Sequence, residues 1–265
     1  MSNRNKLLVP FFSTAPEPTP PTDVMYVSDN ASNALYITDR NTAVTTRVGS
    51  AVRFGLSGRT GDFRNGEFPG LLVWDGTTMY MVDHASRAFY SLDRATGVAT
   101  RIGRSVHFGN NEFMQDATWD GTNVYTVGDT NNTLYRMNTS TGAAVRVGRV
   151  SSFGVGEDQP RGLAWAGDTM YMMGARIDAL FTIDRTTGAA TRVGNATNFG
   201  IPFPALNNPS ALAWDGRRLY MTAGENLYVL NTTTGVATLI GSIRTDSGSL
   251  DPSPQGIEFA PLPMT

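Results

Sequence analysis

The side chains best placed to do chemistry are seven acids and amides: Glu67, Asn111, Glu112, Glu157, Asp158, Asn208 and Asp251. Glu67 and Glu112 each stand seven residues before a tryptophan, and Glu157 stands eight before the next one. A carboxylate or amide recurring at matched positions would accept sugar hydroxyls or ligate a cation; the plainer reading is solvated loop polarity. Trp74, Trp119, Trp165 and Trp214 offer either a stacking ring for sugars or bases, or anchors for packing. Their even spacing favours packing. Catalytic signatures are sparse. His84 and His107 are the only histidines, and they fall in different repeats. There is no nucleophile elbow, phosphate-binding loop or dinucleotide fingerprint, and the absence of cysteine removes thiolate chemistry. "GDTNN" (128–132) and "SDNASN" (28–33) contain calcium-type ligands without the spacing of a calcium loop. A metal-dependent hydrolase would need acids converging on one centre, and no repeated inward acid is visible. The expectation is therefore a chain that is not an enzyme and carries no cofactor or metal.

What positions these residues is a repeat. "TGAATRVG" (187–194) has near-copies at 96–103, 141–148 and 234–241, and a degraded version at 42–49. Three further phrases recur in fixed order: one like "GLAWDG", one like "LYM", and one like "LYTID". The glycines that close the opening phrase, Gly49, Gly103, Gly148, Gly194 and Gly241, lie 45 to 54 residues apart. That period is typical of four-stranded propeller blades. Each phrase is short, rich in β-branched and aromatic residues, and bounded by turn residues, as strands are. Asp75-Gly76, Asp120-Gly121 and Asp215-Gly216 suit tight hairpins between the first and second strands. "DRATG", "NTSTG", "DRTTG" and "NTTTG" suit turns between the third and fourth. Phe54, Phe108, Phe153 and Phe199 each lie five residues after the closing glycine and read as packing residues.

The first repeat lacks its first strand, and the last is followed by an extra one, "GIEFAP" (256–261), with Phe259 in the place of tryptophan. The C-terminal strand therefore completes the N-terminal blade and closes a ring without loose edges. The expected fold is all-β: a five-bladed β-propeller of four-stranded blades over residues 24–265. Tight, repetitive turns occupy one face. The varied loops and blade-to-blade segments, which carry the seven acids and amides, occupy the other, where recognition usually resides.

A net charge of −2 leaves no basic field for nucleic acid. No apolar run approaches the ~20 residues of a membrane span. Residues 1–23 stand outside the repeats as an extended arm, with "PEPTPP" (16–21) as a semi-rigid spacer. Its apolar patch, Leu7, Leu8, Val9, Phe11 and Phe12, either folds back on the propeller or docks in a protein partner. At six residues, "LLVPFF" is shorter than the about 7–15 apolar residues of a secretory signal. Synthesis in the cytosol is expected, with any release occurring as part of a particle such as a virion or a secreted assembly.

"LFTIDRTTGAATRVG" (180–194) and "GLAWAGDTMYMMG" (162–174) resemble a broad group of repeat proteins of bacteria and marine invertebrates, largely without assigned function. The five-bladed ring is also similar in architecture to the tachylectin-type lectins, although none of that family's sugar-binding residues maps onto a position here. The reading that follows is a non-enzymatic recognition or structural module. Its arm tethers a rigid propeller to a larger assembly, such as a phage fibre or decoration component, and the loop face meets a partner or receptor. A multivalent lectin is the alternative, and a metal-dependent hydrolase stands behind both.

Overall fold

A computed structural model describes residues 23–56, 69–83, 88–104, 112–150, 159–174, 177–202, 208–245 and 254–263. Among the described residues, twenty-one strands form five sheets arranged as blades around a central axis. The first blade contains β1 (Val24–Asp29), β2 (Ala34–Thr38) and β3 (Val44–Arg47). The second contains β4 (Pro69–Trp74), β5 (Met79–Asp83), β6 (Ala88–Leu92) and β7 (Ala99–Arg104). The third contains β8 (Met114–Trp119), β9 (Val124–Gly128), β10 (Thr133–Met137) and β11 (Ala144–Arg149). The fourth contains β12 (Pro160–Ala166), β13 (Thr169–Gly174), β14 (Ala179–Ile183) and β15 (Ala190–Arg192). The fifth contains β16 (Pro209–Trp214), β17 (Leu219–Ala223), β18 (Asn226–Leu230) and β19 (Ala237–Ser242). The chain then adds β20 (Arg244–Thr245), parallel to the outer edge of β3, and returns as β21 (Pro254–Ala260), antiparallel to β1. The ring closes as expected. The parallel strand β20 is an addition that the loop-like sequence of that linker did not signal.

The turns follow from side-chain chemistry. Asp75 Oδ1 accepts the backbone N–H groups of Thr77 (3.0 Å) and Thr78 (2.7 Å), and Gly76 takes φ 92° between them. Asp120 and Asp215 repeat the arrangement. Between third and fourth strands, Asp39, Asp93, Asn138, Asp184 and Asn231 each accept the N–H groups two and three residues on. Phe54 and Phe199 are fully buried. Each sits in a left-handed turn with its preceding residue, Arg53 (φ 49°) or Asn198 (φ 54°). Such a conformation costs roughly 1–2 kcal/mol per non-glycine residue. Burial of a whole phenyl ring, about 1.5–3 kcal/mol, offsets much of it.

The repeated phrase interlocks the blades. The closing glycine of each outer strand lies against the threonine carbonyl that opens the phrase in the next blade: Gly49 on Thr96, Gly103 on Thr141, Gly148 on Thr187, and Gly194 on Thr234. A Cβ on Gly148 would overlap the Thr187 carbonyl. The inner strands meet as closely. A Cβ on Gly162 would stand 2.8 Å from the Leu212 nitrogen. Apolar clusters fill the spaces between blades; one runs from Tyr26 and Leu35 to Leu72, Met81 and Tyr90.

Gly148→Ala should destabilise the protein by about 1–3 kcal/mol through overpacking, and Phe199→Ala by about 3–5 kcal/mol through a cavity. Both are checked by urea titration. Truncation before Gly256 removes most of β21 and should abolish the cooperative melt; an unchanged melting temperature would refute the closure.

Candidate functional site

At the centre, the innermost strands β4, β8, β12, β16 and β21 turn backbone N–H groups toward the axis. Two acids and a threonine meet them. The buried carboxyl of Asp116 accepts from Ala117 (2.9 Å), from Leu163 in the fourth blade (2.8 Å) and from Leu212 in the fifth (2.9 Å). One side chain thereby joins three blades. Thr118 Oγ1 accepts from the Trp165 nitrogen (2.7 Å), and Glu258 accepts from Trp74 (3.3 Å) and Phe259 (2.8 Å). Burial pushes the Glu258 carboxyl up to about 8, against the lowering effect of its N–H donors. Burial likewise holds Asp116 well above the usual carboxylate range, and Glu258 adds to that as a like charge. The sequence showed no repeated inward acid; the axis holds two acids, each in a single blade, so neither recurs at its repeat position.

The channel opens on the turn face into a cavity of about 130 Å³ lined by Trp74, Trp119, Trp165, Trp214, Phe259 and Glu258. Three of these rings carry an arginine from the third-to-fourth turn of their own blade. Arg94 lies 3.9 Å from the centre of Trp74, Arg185 5.1 Å from Trp165, and Arg40 4.8 Å from Phe259. Trp119 packs instead on the Gly76 turn of the neighbouring blade. The four tryptophans therefore frame the mouth as half-buried packing residues beside the buried Phe259, much of their surface already engaged within the protein.

On the opposite face, Glu112 is buried rather than presented to solvent. Its carboxylate accepts the backbone N–H of Asn131 (3.1 Å) and the Asn131 side-chain amide. It fills the space a side chain on Gly128 would need. In the first blade Asp29, at the equivalent strand end, accepts the N–H of Ser32 (2.7 Å). Glu112 thus supplies from the linker the carboxylate that the third blade lacks at Gly128. Burial raises its pKa, and Asp129 adds to this by repulsion. Gln115 in turn donates to Asp129 (2.7 Å). Asn208 is exposed, with φ 47°, and its carbonyl accepts from Gly224 (3.4 Å). Glu67, Asn111, Glu157, Asp158 and Asp251 lie outside the described residues, as do His84, His107 and the arm with Leu7, Leu8, Val9, Phe11 and Phe12. Among the described residues, no group of three or more acids or histidines could hold a metal ion, and no helix is long and apolar enough to cross a membrane.

No protein-family model matches the chain, and no curated protein matches its sequence. Solved structures do match in fold. The chain is similar to one in a nidogen/laminin complex, with a TM-score of 0.53 and 9% identity over 90% of this chain and 98% of that one. It is also similar to virginiamycin B lyase from Staphylococcus aureus (TM-score 0.47, 13% identity, covering 82% of this chain and 69% of that one). Glutaminyl cyclase from Myxococcus xanthus has a TM-score of 0.47 and 13% identity, covering 90% of this chain and 78% of that one. Likeness at these identities shows the fold alone. It also corrects one expectation. The reading that the chain is not an enzyme does not stand, because a fold by itself decides neither for nor against catalysis.

Glu258 has a folded pKa above that of an unfolded glutamate, so its contribution to stability is full below pH ~4.3 and falls as pH rises through about 8. Glu258→Gln should flatten the fall in melting temperature over that window and leave the protein more stable than the parent at pH 9. A profile unchanged by the substitution would show that the carboxyl is not titrating there.

Proposed function

We propose that this chain is a recognition module, a rigid propeller that presents its loop face to a protein partner. The observation that supports this reading is the unequal dressing of the two faces. The turn face repeats one chemistry, with Asp or Asn capping the third-to-fourth turn of every blade and Asp capping the first-to-second turn of the second, third and fifth. On the loop face the second strands end differently, in Asp29, Asp83, Gly128, Gly174 and Ala223. Phe113 stands there 45% exposed, next to the buried Glu112. A fixed frame carrying non-repeating polar groups and an exposed aromatic ring suits a protein interface. The similar propeller found in a complex of nidogen with laminin accords with a partner of this kind. The arm, residues 1–23, is proposed to tether the propeller through Leu7, Leu8, Val9, Phe11 and Phe12.

A photo-crosslinking residue at position 113 should label one discrete protein in the source cells, whereas the same probe at position 95, on the turn face, should label none. Labelling from position 95 alone would overturn the assignment of the face. Selective binding on a glycan array, with no protein adduct from position 113, would replace the protein partner with a sugar. Deleting residues 1–23 should leave the melting temperature unchanged and abolish co-assembly; an unfolded product would remove the tether reading.

A further inference from the structure

At two joins between blades the turn face carries the same three-membered arrangement. Asp215 of the fifth blade accepts on Oδ2 both the Tyr220 hydroxyl (3.1 Å) and Arg40 of the first blade (2.9 Å), and Arg40 lies over Phe259. Asp120 of the third blade accepts Arg185 of the fourth (2.6 Å) and the hydroxyl of Tyr125, and Arg185 lies over Trp165. A tyrosine, an arginine and a carboxylate thus close each of these joins.

Where the first blade meets the second, the tyrosine and the arginine remain and the carboxylate is missing. Tyr26 is the counterpart of Tyr220 and Tyr125; it is fully buried and its hydroxyl has no hydrogen-bond partner. Arg94 is the counterpart of Arg40 and Arg185. It lies over Trp74 and donates to the Pro261 carbonyl, with no acid beside it among the described residues. The position of Asp120 and Asp215 is taken by Ala260, because the inner strand of this blade is β21, which continues into Pro261 instead of an Asp-Gly turn.

We propose that this join is a carboxylate-binding site, in which the Tyr26 hydroxyl and the Arg94 guanidinium receive a ligand's carboxylate in place of the missing aspartate. A buried hydroxyl left unpaired is disfavoured, and a guanidinium with free N–H groups matches a planar carboxylate in charge and geometry. Ala260 differs from aspartate by one carboxyl group, so the ligand class is a monocarboxylate on a slim stem. It is either a free acid of formate or acetate size or the side-chain carboxylate of a partner.

The test is the melting temperature of the full chain at pH 7 in sodium formate against sodium chloride at equal ionic strength. Formate should raise it in a concentration-dependent way. Tyr26→Phe and Arg94→Gln should lose that rise. Ala260→Asp should melt higher in chloride and no longer respond to formate. A blocked peptide containing one aspartate forms a second arm. A rise at lower concentration than formate assigns the site to a partner's side chain, and a rise with formate alone assigns it to a free acid; both support the site. The proposal is overturned if neither probe shifts the wild-type chain, or if Tyr26→Phe and Ala260→Asp respond as the wild type does.

Discussion

Everything in this ring depends on the backbone N–H groups that its five innermost strands turn toward the axis. An inner strand pairs on one side only, so its other edge would be left unsatisfied in a space that small residues such as Gly162 have made narrow. Buried N–H groups must find acceptors. Asp116, Thr118 and Glu258 supply them, and in doing so bind blades that share no sheet. The cost is two carboxyls drawn out of bulk water, Asp116 wholly and Glu258 in part, both shifted toward the protonated form. Stability at the axis is therefore tied to pH, in a protein whose outer turns keep their acids at the surface.

The same economy governs the rim. The first-to-second turn of a blade is a local device, because the aspartate caps its own N–H groups. Its second carboxylate oxygen is free to reach outward, and it takes a tyrosine from its own blade and an arginine from the next. The arginine lies in turn on an aromatic ring at the mouth of the channel. One side chain thus links turn, blade and neighbour. At the join closed by the C-terminal strand that device is not available, since the strand does not turn back. Tyr26 and Arg94 lie at that join.

The loop face is built by a different rule. Its acids are spent on loops one at a time, and the donor varies: Asp29 serves its own loop, whereas Glu112 reaches in from a linker because Gly128 has no side chain to offer. The repeat is thus conserved in function across blades although the residue doing the work changes position. The left-handed turns at Phe54 and Phe199 show a similar balance, with backbone strain held in place by a fully buried ring.

Blade number, strand order and ring closure were legible in the sequence. They rest on local signals that repeat with a fixed period: β-branched and aromatic runs, Asp-Gly and Asp/Asn-Thr-Gly turns, and a C-terminal phrase matching the missing first strand. The packing role of the four tryptophans was legible for the same reason. The site was not. Asp116 and Glu258 each occur once at their repeat position, so no periodicity marks them, and their partners lie far along the chain; Asp116 and Leu212 are separated by 96 residues. Glu112 looked like an exposed ligand because its spacing matched Glu67, while its burial depends on Gly128 and Asn131 across a fold the spacing does not describe. The sequence by itself determined the repeat and therefore the propeller. Only the tertiary structure decided which acids face the axis, which arginines cover the rings, and which join keeps its tyrosine and arginine without a carboxylate, because those contacts form between blades and a repeat records what happens within one.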